Sequence, residues 1–243
     1  MPVKVLLNGA KGRMGQAIIR CAPEFGVEIV AALDVGDDPA AHIDAVEMVV
    51  DFSFHSVTPG LAELAAAKGK SIVIGTTGHS AEEKARILEC AKSVPMVFAG
   101  NYSLGVNLLY HLVSKAAQVL GTEFNPEVVE MHHRLKKDAP SGTAERIVEL
   151  IREARHLGPE CVTNGREGMP GERPFDEIGV HALRGGDVVG EHTVIFAGPG
   201  ERVEITHKAG DRSILARGAM RATAWLHGKK PGLYDMKDVL NLS

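Results

Sequence analysis

Cysteine is scarce, and what there is does not pair. Cys21, Cys90 and Cys161 are odd in number and far apart, and no CxxC occurs in the 243 residues. That pattern argues against a disulfide framework or a zinc cage, and a reducing, cytoplasmic setting is expected. Basic charge is not in excess either: 27 Lys and Arg against 31 Asp and Glu give a net −4, which points to neither nucleic acid nor a membrane surface as partner. No apolar run is long enough to span a bilayer. The opening MPVKVLLNGAKGRMG passes from a brief apolar run straight into a glycine loop, as a strand does and a signal peptide does not. HExxH and comparable histidine spacings are missing, so no metal is expected. Repeats and low-complexity tracts are missing too. What remains is a globular composition, 44% hydrophobic, able to bury a real core.

The first hundred residues alternate between strand and helix. Val3–Asn8, Val27–Asp34, Val46–Phe52, Ser71–Ile74 and Pro95–Ala99 read as buried strands. Helical spacing follows Gly15 and recurs over Ser56–Lys68 and Ala81–Ser93. Repeated strand–helix alternation predicts an α/β, Rossmann-like parallel sheet, with any ligand at the carboxyl ends of its strands. GAKGRMG, GTTG and AGNYS all fall at such ends.

Beyond about residue 103 the pattern changes to α+β. Helices are expected over Val106–Leu120 and Thr143–Leu157, a strand over Pro126–His133, and a long loop over Gly158–Gly179. Val180–Arg184, Val188–Phe196 and Arg202–Lys208 read as an antiparallel meander. A last helix, about Ile214–Leu226, and the tail Leu233–Leu240 are expected to pack back on the first domain. The expected organisation is a dinucleotide-binding domain over 1–102, completed by 212–243. A substrate-binding and oligomerisation domain with a mixed or antiparallel sheet would occupy 103–211. The sheet face without helices is a pointer to self-association.

Two stretches carry chemistry. Gly9-Ala10-Lys11-Gly12-Arg13-Met14-Gly15 spaces its glycines as GxxGxxG between a strand and a helix. Glycine allows the tight turn and close approach to a pyrophosphate, and the helix start supplies N–H groups and positive potential. Asp34, 19 residues after Gly15, is placed to accept the ribose hydroxyls, which favours NAD. Val35 provides no cation for a 2′-phosphate, but Lys11 or Arg13 could reach one, so NADP stays open.

The second stretch is Glu130–Glu145, EMHHRLKKDAPSGTAE. Neighbouring residues of a strand face opposite ways, so His132 and His133 do not share one metal. With Arg134, Lys136 and Lys137 they form a cationic turn that ends at Ser141-Gly142-Thr143 and a helix start, a natural anchor for a carboxylate. Lys and His beside one anion are competent acids near neutral pH. The residues alone support a nicotinamide-dependent oxidoreductase acting on a small anion.

Taken with NGAKGRMG, IGTTG, AGNYSLGVN, HALRGGDVVGEHTVIF and LYDMKDVLNL, this stretch resembles the 4-hydroxy-tetrahydrodipicolinate reductase (dihydrodipicolinate reductase) family over essentially the whole chain. The resemblance implies an NAD(P)H-dependent enzyme of the diaminopimelate route to lysine, commonly a homotetramer built through the second domain's sheet. It implies that His132 acts as proton donor or acceptor and Lys136 as proton donor. His133, Ser141, Gly142 and Thr143 would hold the substrate's carboxylates. Gly9, Ala10, Lys11, Gly12, Arg13, Met14, Asp34, Gly75, Thr76, Thr77, Ala99, Gly100, Asn101 and Tyr102 would hold the cofactor. Two positions depart from the family pattern: Leu135, where many members read HHRHK, and Val35, where many have arginine after the acid.

Overall fold

The computed structural model describes residues 1–242. It divides into two compact units, 1–104 with 213–242, and 105–212.

The first unit is built on a six-stranded sheet. Its strands are β1 (Val3–Asn8), β2 (Val27–Leu33), β3 (Met48–Asp51), β4 (Ser71–Ile74), β5 (Pro95–Phe98) and the late β11 (Gly232–Tyr234). Their spatial order is β11-β5-β4-β3-β1-β2, and every pairing is parallel. The strands are short and apolar because both faces are covered. On one face Ile18 of α1 (Arg13–Cys21) packs with Ala219 and Met220 of α6 (Ser213–Leu226) and Met236 of α7 (Met236–Leu240). On the other lie Leu61 and Ala65 of α2 (Thr58–Ala67) and Ile87 of α3 (Ala81–Cys90). α3 starts where Ser80 and Glu83 form a reciprocal capping box. The tail expected to return to this unit does so as β11, an added edge strand, followed by α7. Strand order reverses at β1, with β2 on one side and β3 on the other. That reversal opens the crevice in which such sheets bind nucleotides.

The second unit has α4 (Leu104–Leu120) and α5 (Gly142–Arg155) on one face of a five-stranded mixed sheet, order β10-β9-β6-β8-β7. The strands are β6 (Asn125–His132), β7 (Val162–Asn164), β8 (Ile178–Arg184), β9 (Gly190–Gly198) and β10 (Glu201–Ala209). Leu109, Val113, Ile147, Ile151, Val128, Val194 and Phe196 form its core. Each such side chain contributes roughly 1.5–3 kcal/mol when removed from water.

Two sequence expectations are corrected here. The last three long strands are not a meander: β8 pairs parallel with β6, and β9 lies antiparallel on the other side of β6. The Gly185-Gly186 turn therefore crosses the head of β6, donating from Gly185 N to His132 O at 3.0 Å and accepting at Gly186 O from Arg134 N at 3.2 Å. Nor is Gly158–Gly179 a bare loop. It contains the edge strand β7, and Arg173 fastens it to Asn125 and Glu127 at 2.9 and 3.0 Å. Burial alone would raise the Glu127 carboxyl, but Arg166, His181 and Arg173 overcome that and hold it at about 2. Among the described residues no helix is long and apolar enough to cross a membrane.

Candidate active site

In the first unit the glycine turn is cut to its backbone. Gly9 has φ +86°, in the left-handed region, and a Cβ there would overlap the carbonyl of Phe52. A Cβ at Gly15 would overlap the carbonyl oxygen of Gly9. These two glycines let the chain turn tightly into α1. Gly9 and Gly12 line a cavity of about 440 Å³ together with Asn8, Asp34, Asp37 and Phe52. A groove floored by glycine, ending at a helix start and walled by an acid, fits an adenine dinucleotide.

Asp34 lies just past β2 and accepts from Lys11 N at 2.7 Å and Val35 N at 2.9 Å. These backbone N–H groups, that of Val35 first, hold its carboxyl below the usual range, so it is an anion facing the cavity. Arg13 is exposed, whereas Met14 packs against the core. Ala10 is itself core, with its carbonyl bonded by Gln16 Nε2 at 2.9 Å.

The other predicted cofactor positions offer backbone more than side chain. Gly75 N donates to Asp51 O at 2.9 Å. Thr76 is buried, its hydroxyl donating to Asp51 Oδ2 at 2.8 Å and accepting from Ser53 N at 2.9 Å. Thr77 is exposed, with its methyl against Gly100. Ala99 is half-buried, and Asn101 Oδ1 accepts from Ser103 N at 2.9 Å. Tyr102 is 2% exposed, and its hydroxyl donates to Ile74 O at 2.7 Å. Burial pushes that phenol far up, so the Tyr102 side chain serves the core.

Sequence reasoning missed the group that ties these loops together. Asp51, fully buried at the end of β3, accepts two bonds on each oxygen. Asn8 Nδ2 (3.0 Å) and Ser53 Oγ (2.6 Å) donate to Oδ1; Thr58 Oγ1 (2.6 Å) and Thr76 Oγ1 (2.8 Å) donate to Oδ2. An acid closing the apolar run VEMVVDF was the available signal.

The second unit gathers the proton-bearing groups at the head of β6. His132 closes that strand on the buried face shared with Val128, and half-buried His133 follows just past its end. His132 Nδ1 lies 2.5 Å from Oε2 of the fully buried Glu130. Arg184 grips both oxygens of Glu130 at 2.9 Å, and Ser141 N donates to Oε1 at 3.2 Å. Burial pulls the Glu130 carboxyl upward, but Arg184 and His132 outweigh it and keep the group below the ordinary carboxylate range.

His133 Nε2 accepts from Arg212 at 3.2 Å. Lys136, in the turn after β6, pairs with Asp138 at 2.8 Å and is four-fifths buried. Arg184 also donates to Asp138 O at 2.6 Å, and the Ala139–Pro140 peptide that follows is cis.

Ser141 caps α5. Its hydroxyl accepts from Ala144 N at 3.3 Å and lies 2.9 Å from His192 Nε2. With both its N–H and its hydroxyl engaged, Ser141 shapes the helix start that Gly142 and Thr143 present. Gly142 leaves that start open, with nothing within 4 Å of its Cβ position. Burial first, and the neighbouring His132, push the His192 imidazole down to about 4.

Glu130, Arg184, His192 and Arg212 were not singled out from the sequence. Glu130 shares the strand face of Val128 and His132, a core position, and an acid there was a readable signal. Its bond to Arg184, 54 residues on, was not.

A parallel sheet with a glycine turn and a ribose-side acid, joined in one chain to a unit bearing a buried imidazole and a cationic turn, is the plan of a Rossmann-type, nicotinamide-nucleotide-dependent oxidoreductase. Comparison with known proteins narrows that class. Residues 3–102 match the family model described as dihydrodipicolinate reductase, N-terminus, and residues 105–240 the one described as its C-terminus. The chain is 50% identical over 243 residues to the 4-hydroxy-tetrahydrodipicolinate reductase of Akkermansia muciniphila, covering 99% of each. It is 45% identical to that of Anaeromyxobacter dehalogenans, covering 98% of each. A dipicolinate-bound dihydrodipicolinate reductase from Paenisporosarcina sp. TG-14 shares the fold, with TM-score 0.80, 24% identity and coverage of 97% of this chain and 98% of that one. The chain belongs to the dihydrodipicolinate reductase family.

Proposed function

We propose that this protein reduces 4-hydroxy-tetrahydrodipicolinate to tetrahydrodipicolinate, using NADH or NADPH, in the diaminopimelate route to lysine. Among the site's features, the arrangement at the head of β6 carries the residue assignment: His132 backed by Glu130, one turn from Lys136 and the start of α5. The net change adds a hydride and a proton to a cyclic dicarboxylate and expels its 4-hydroxyl as water. A reduced nicotinamide, when bound, supplies the hydride.

The protein's residues do the rest. Gly9, Ala10, Lys11, Gly12, Arg13 and Met14 accommodate the pyrophosphate, and Asp34 takes the ribose hydroxyls. The backbones of Gly75–Thr77 and Ala99–Tyr102 line the nicotinamide side. His133, Arg212 and the α5 start at Ser141-Gly142-Thr143 bind the carboxylates by charge and helix-start N–H groups. Lys136 or His132 delivers the proton, and holding donor and substrate in register is the main source of rate. Asp34 with Asp37 makes the ribose wall acidic, which supports NADH as the better cofactor. The open sheet face of the second unit supports a homotetramer, and the cytoplasm is the expected location.

The test mixes purified protein with NADH or NADPH and the freshly prepared condensation product of pyruvate and aspartate semialdehyde. Loss of reduced-nicotinamide absorbance is expected; none with either cofactor rejects the assignment. Lys136→Ala is expected to lower kcat by about 10²–10⁴-fold while the Kd for cofactor stays unchanged. Near-normal turnover removes Lys136 from the proton step.

A further inference from the structure

Glu130 carries no role in the reading above, yet it is the most completely enclosed charged group in its unit, at 0% exposure. An isolated carboxylate in that position would protonate. Here Arg184 donates to both oxygens at 2.9 Å and Ser141 N to one at 3.2 Å, so Glu130 stays an acceptor and never a donor. The remaining lone pair of Oε2 meets His132 Nδ1 at 2.5 Å. An acceptor-only partner places a hydrogen on Nδ1, which leaves Nε2 as the atom that gains and loses a proton.

The space beside Nε2 is kept clear by a glycine. A Cβ at Gly190, on the neighbouring strand β9, would stand 3.0 Å from Nε2. Arg184 links the same clamp to the lysine turn, since its second donor reaches Asp138 O at 2.6 Å.

We propose that Glu130, clamped by Arg184, is the positioning residue that fixes the tautomer of His132 and directs Nε2 toward the substrate. This rests on the assignment of His132 to the proton step.

The charges facing His132 have opposing effects. Glu130 on its own strand stabilises the imidazolium. Arg184 on β8 and Lys136 in the following turn oppose it, with Asp138 partly offsetting Lys136. His192 on β9, with ring centroids 5.2 Å away, is kept neutral by burial, and His207 lies beyond it on β10 in cross-strand register with His192. Among the described residues only Glu130 makes direct hydrogen-bond contact with the ring, so its loss dominates.

The test is Glu130→Gln beside His132→Gln and Gly190→Ala, each read as kcat, KM and pH profile. Glu130→Gln keeps the shape, but its amide would donate to Nδ1 and reverse the tautomer. Expected is a fall in kcat of about a hundredfold with KM within about threefold. The alkaline limb should also move down by about one pH unit or more, because removing an adjacent anion lowers an imidazolium's pKa. Gly190→Ala should lower kcat with that limb in place.

Nitrogen NMR of the wild type, which needs no variant to fold, should show neutral His132 protonated at Nδ1. Protonation at Nε2 in the wild type overturns the proposal. So does Glu130→Gln with unchanged kcat and profile, or with raised KM alone. Normal turnover in His132→Gln overturns the proton-step reading itself. Impaired His132→Gln beside unimpaired Glu130→Gln removes only the positioning role.

Discussion

Among the described residues each unit encloses one carboxylate near the end of a central strand, and the two are held in opposite ways. Asp51 and Glu130 are both fully buried. The partners of Asp51 are three hydroxyls and one amide, drawn from β1, the loops after β3 and β4, and the start of α2. None of them titrates in the physiological range, so the network can fix loops but cannot move a proton. The partners of Glu130 are a guanidinium, an imidazole and a backbone N–H. The guanidinium holds the charge and the imidazole lets that charge act on chemistry. Burial alone does not separate a structural acid from a functional one; the titratability of its donors does.

The isosteric pair Asp51→Asn and Glu130→Gln puts this contrast under the greatest strain. In Asp51→Asn the new amide confronts two hydrogen-bond donors where the oxygen it replaces accepted two. Leaving buried donors unmet costs about 1–3 kcal/mol each, so a loss of about 3 kcal/mol or more is expected in urea unfolding. The KM for cofactor should rise because the Thr76 hydroxyl loses its anchor, while the alkaline limb of the pH profile stays in place. If that limb shifts in Asp51→Asn, the division between structural and functional carboxylate collapses.

Acid should expose the next largest difference. Among the described residues no imidazole hydrogen-bonds to Asp51, whereas the Glu130 end contains His192, held at about 4 against an ordinary 6.5. The folded state keeps this ring neutral while the unfolded chain protonates it, so the unfolded state binds more protons between those two values. Stability then falls as pH drops from about 6.5 to about 4 and levels off below. The full loss is about 3 kcal/mol, from about 1.4 kcal/mol per pKa unit. Denaturant midpoints at pH 7 and pH 4.5 measure it, and His192→Gln should flatten the difference. An equally steep loss in that variant assigns the acid sensitivity to other groups.

Much of this was legible in the sequence where a single residue's local geometry decides the outcome. The strand–turn–helix around Gly9–Gly15, Asp34 after β2 and the strand that ends at His132 all follow from periodicity over a few positions. What stayed hidden depends on pairing across the chain. Val180–Arg184 and Val188–Phe196 look like a hairpin because Gly185-Gly186 divides them, but β6 inserts between them, since each buries one face against the same helices. That insertion brings Arg184 to Glu130. Likewise Ser141 reads as a substrate ligand by its place before a helix, yet its hydroxyl is engaged with Ala144 and His192, a contact that depends on where β9 lies. Tyr102 reads as a cofactor contact by its loop, and its bond to Ile74 O turns the ring into core.

The finest test removes one hydroxyl from each network. Thr58→Val deletes a 2.6 Å donor to Asp51 with almost no change of shape, and a bond to a charged group contributes about 1.5–3 kcal/mol. Ser141→Ala deletes the α5 cap and the partner of His192 but keeps the N–H bond to Glu130, at about 1 kcal/mol. The stability cost is thus the larger in Thr58→Val, and the kinetic consequences should run the other way. Thr58→Val leaves three neutral donors on Asp51, and kcat should stay within about twofold. Ser141→Ala frees the His192 ring beside His132 and loosens the helix start that receives the carboxylate, so both kcat and substrate KM should worsen by several-fold. Equal kinetics in the two variants would mean that the Ser141 hydroxyl is as purely architectural as those around Asp51. The functional character of that end would then rest on Arg184 and His132 alone.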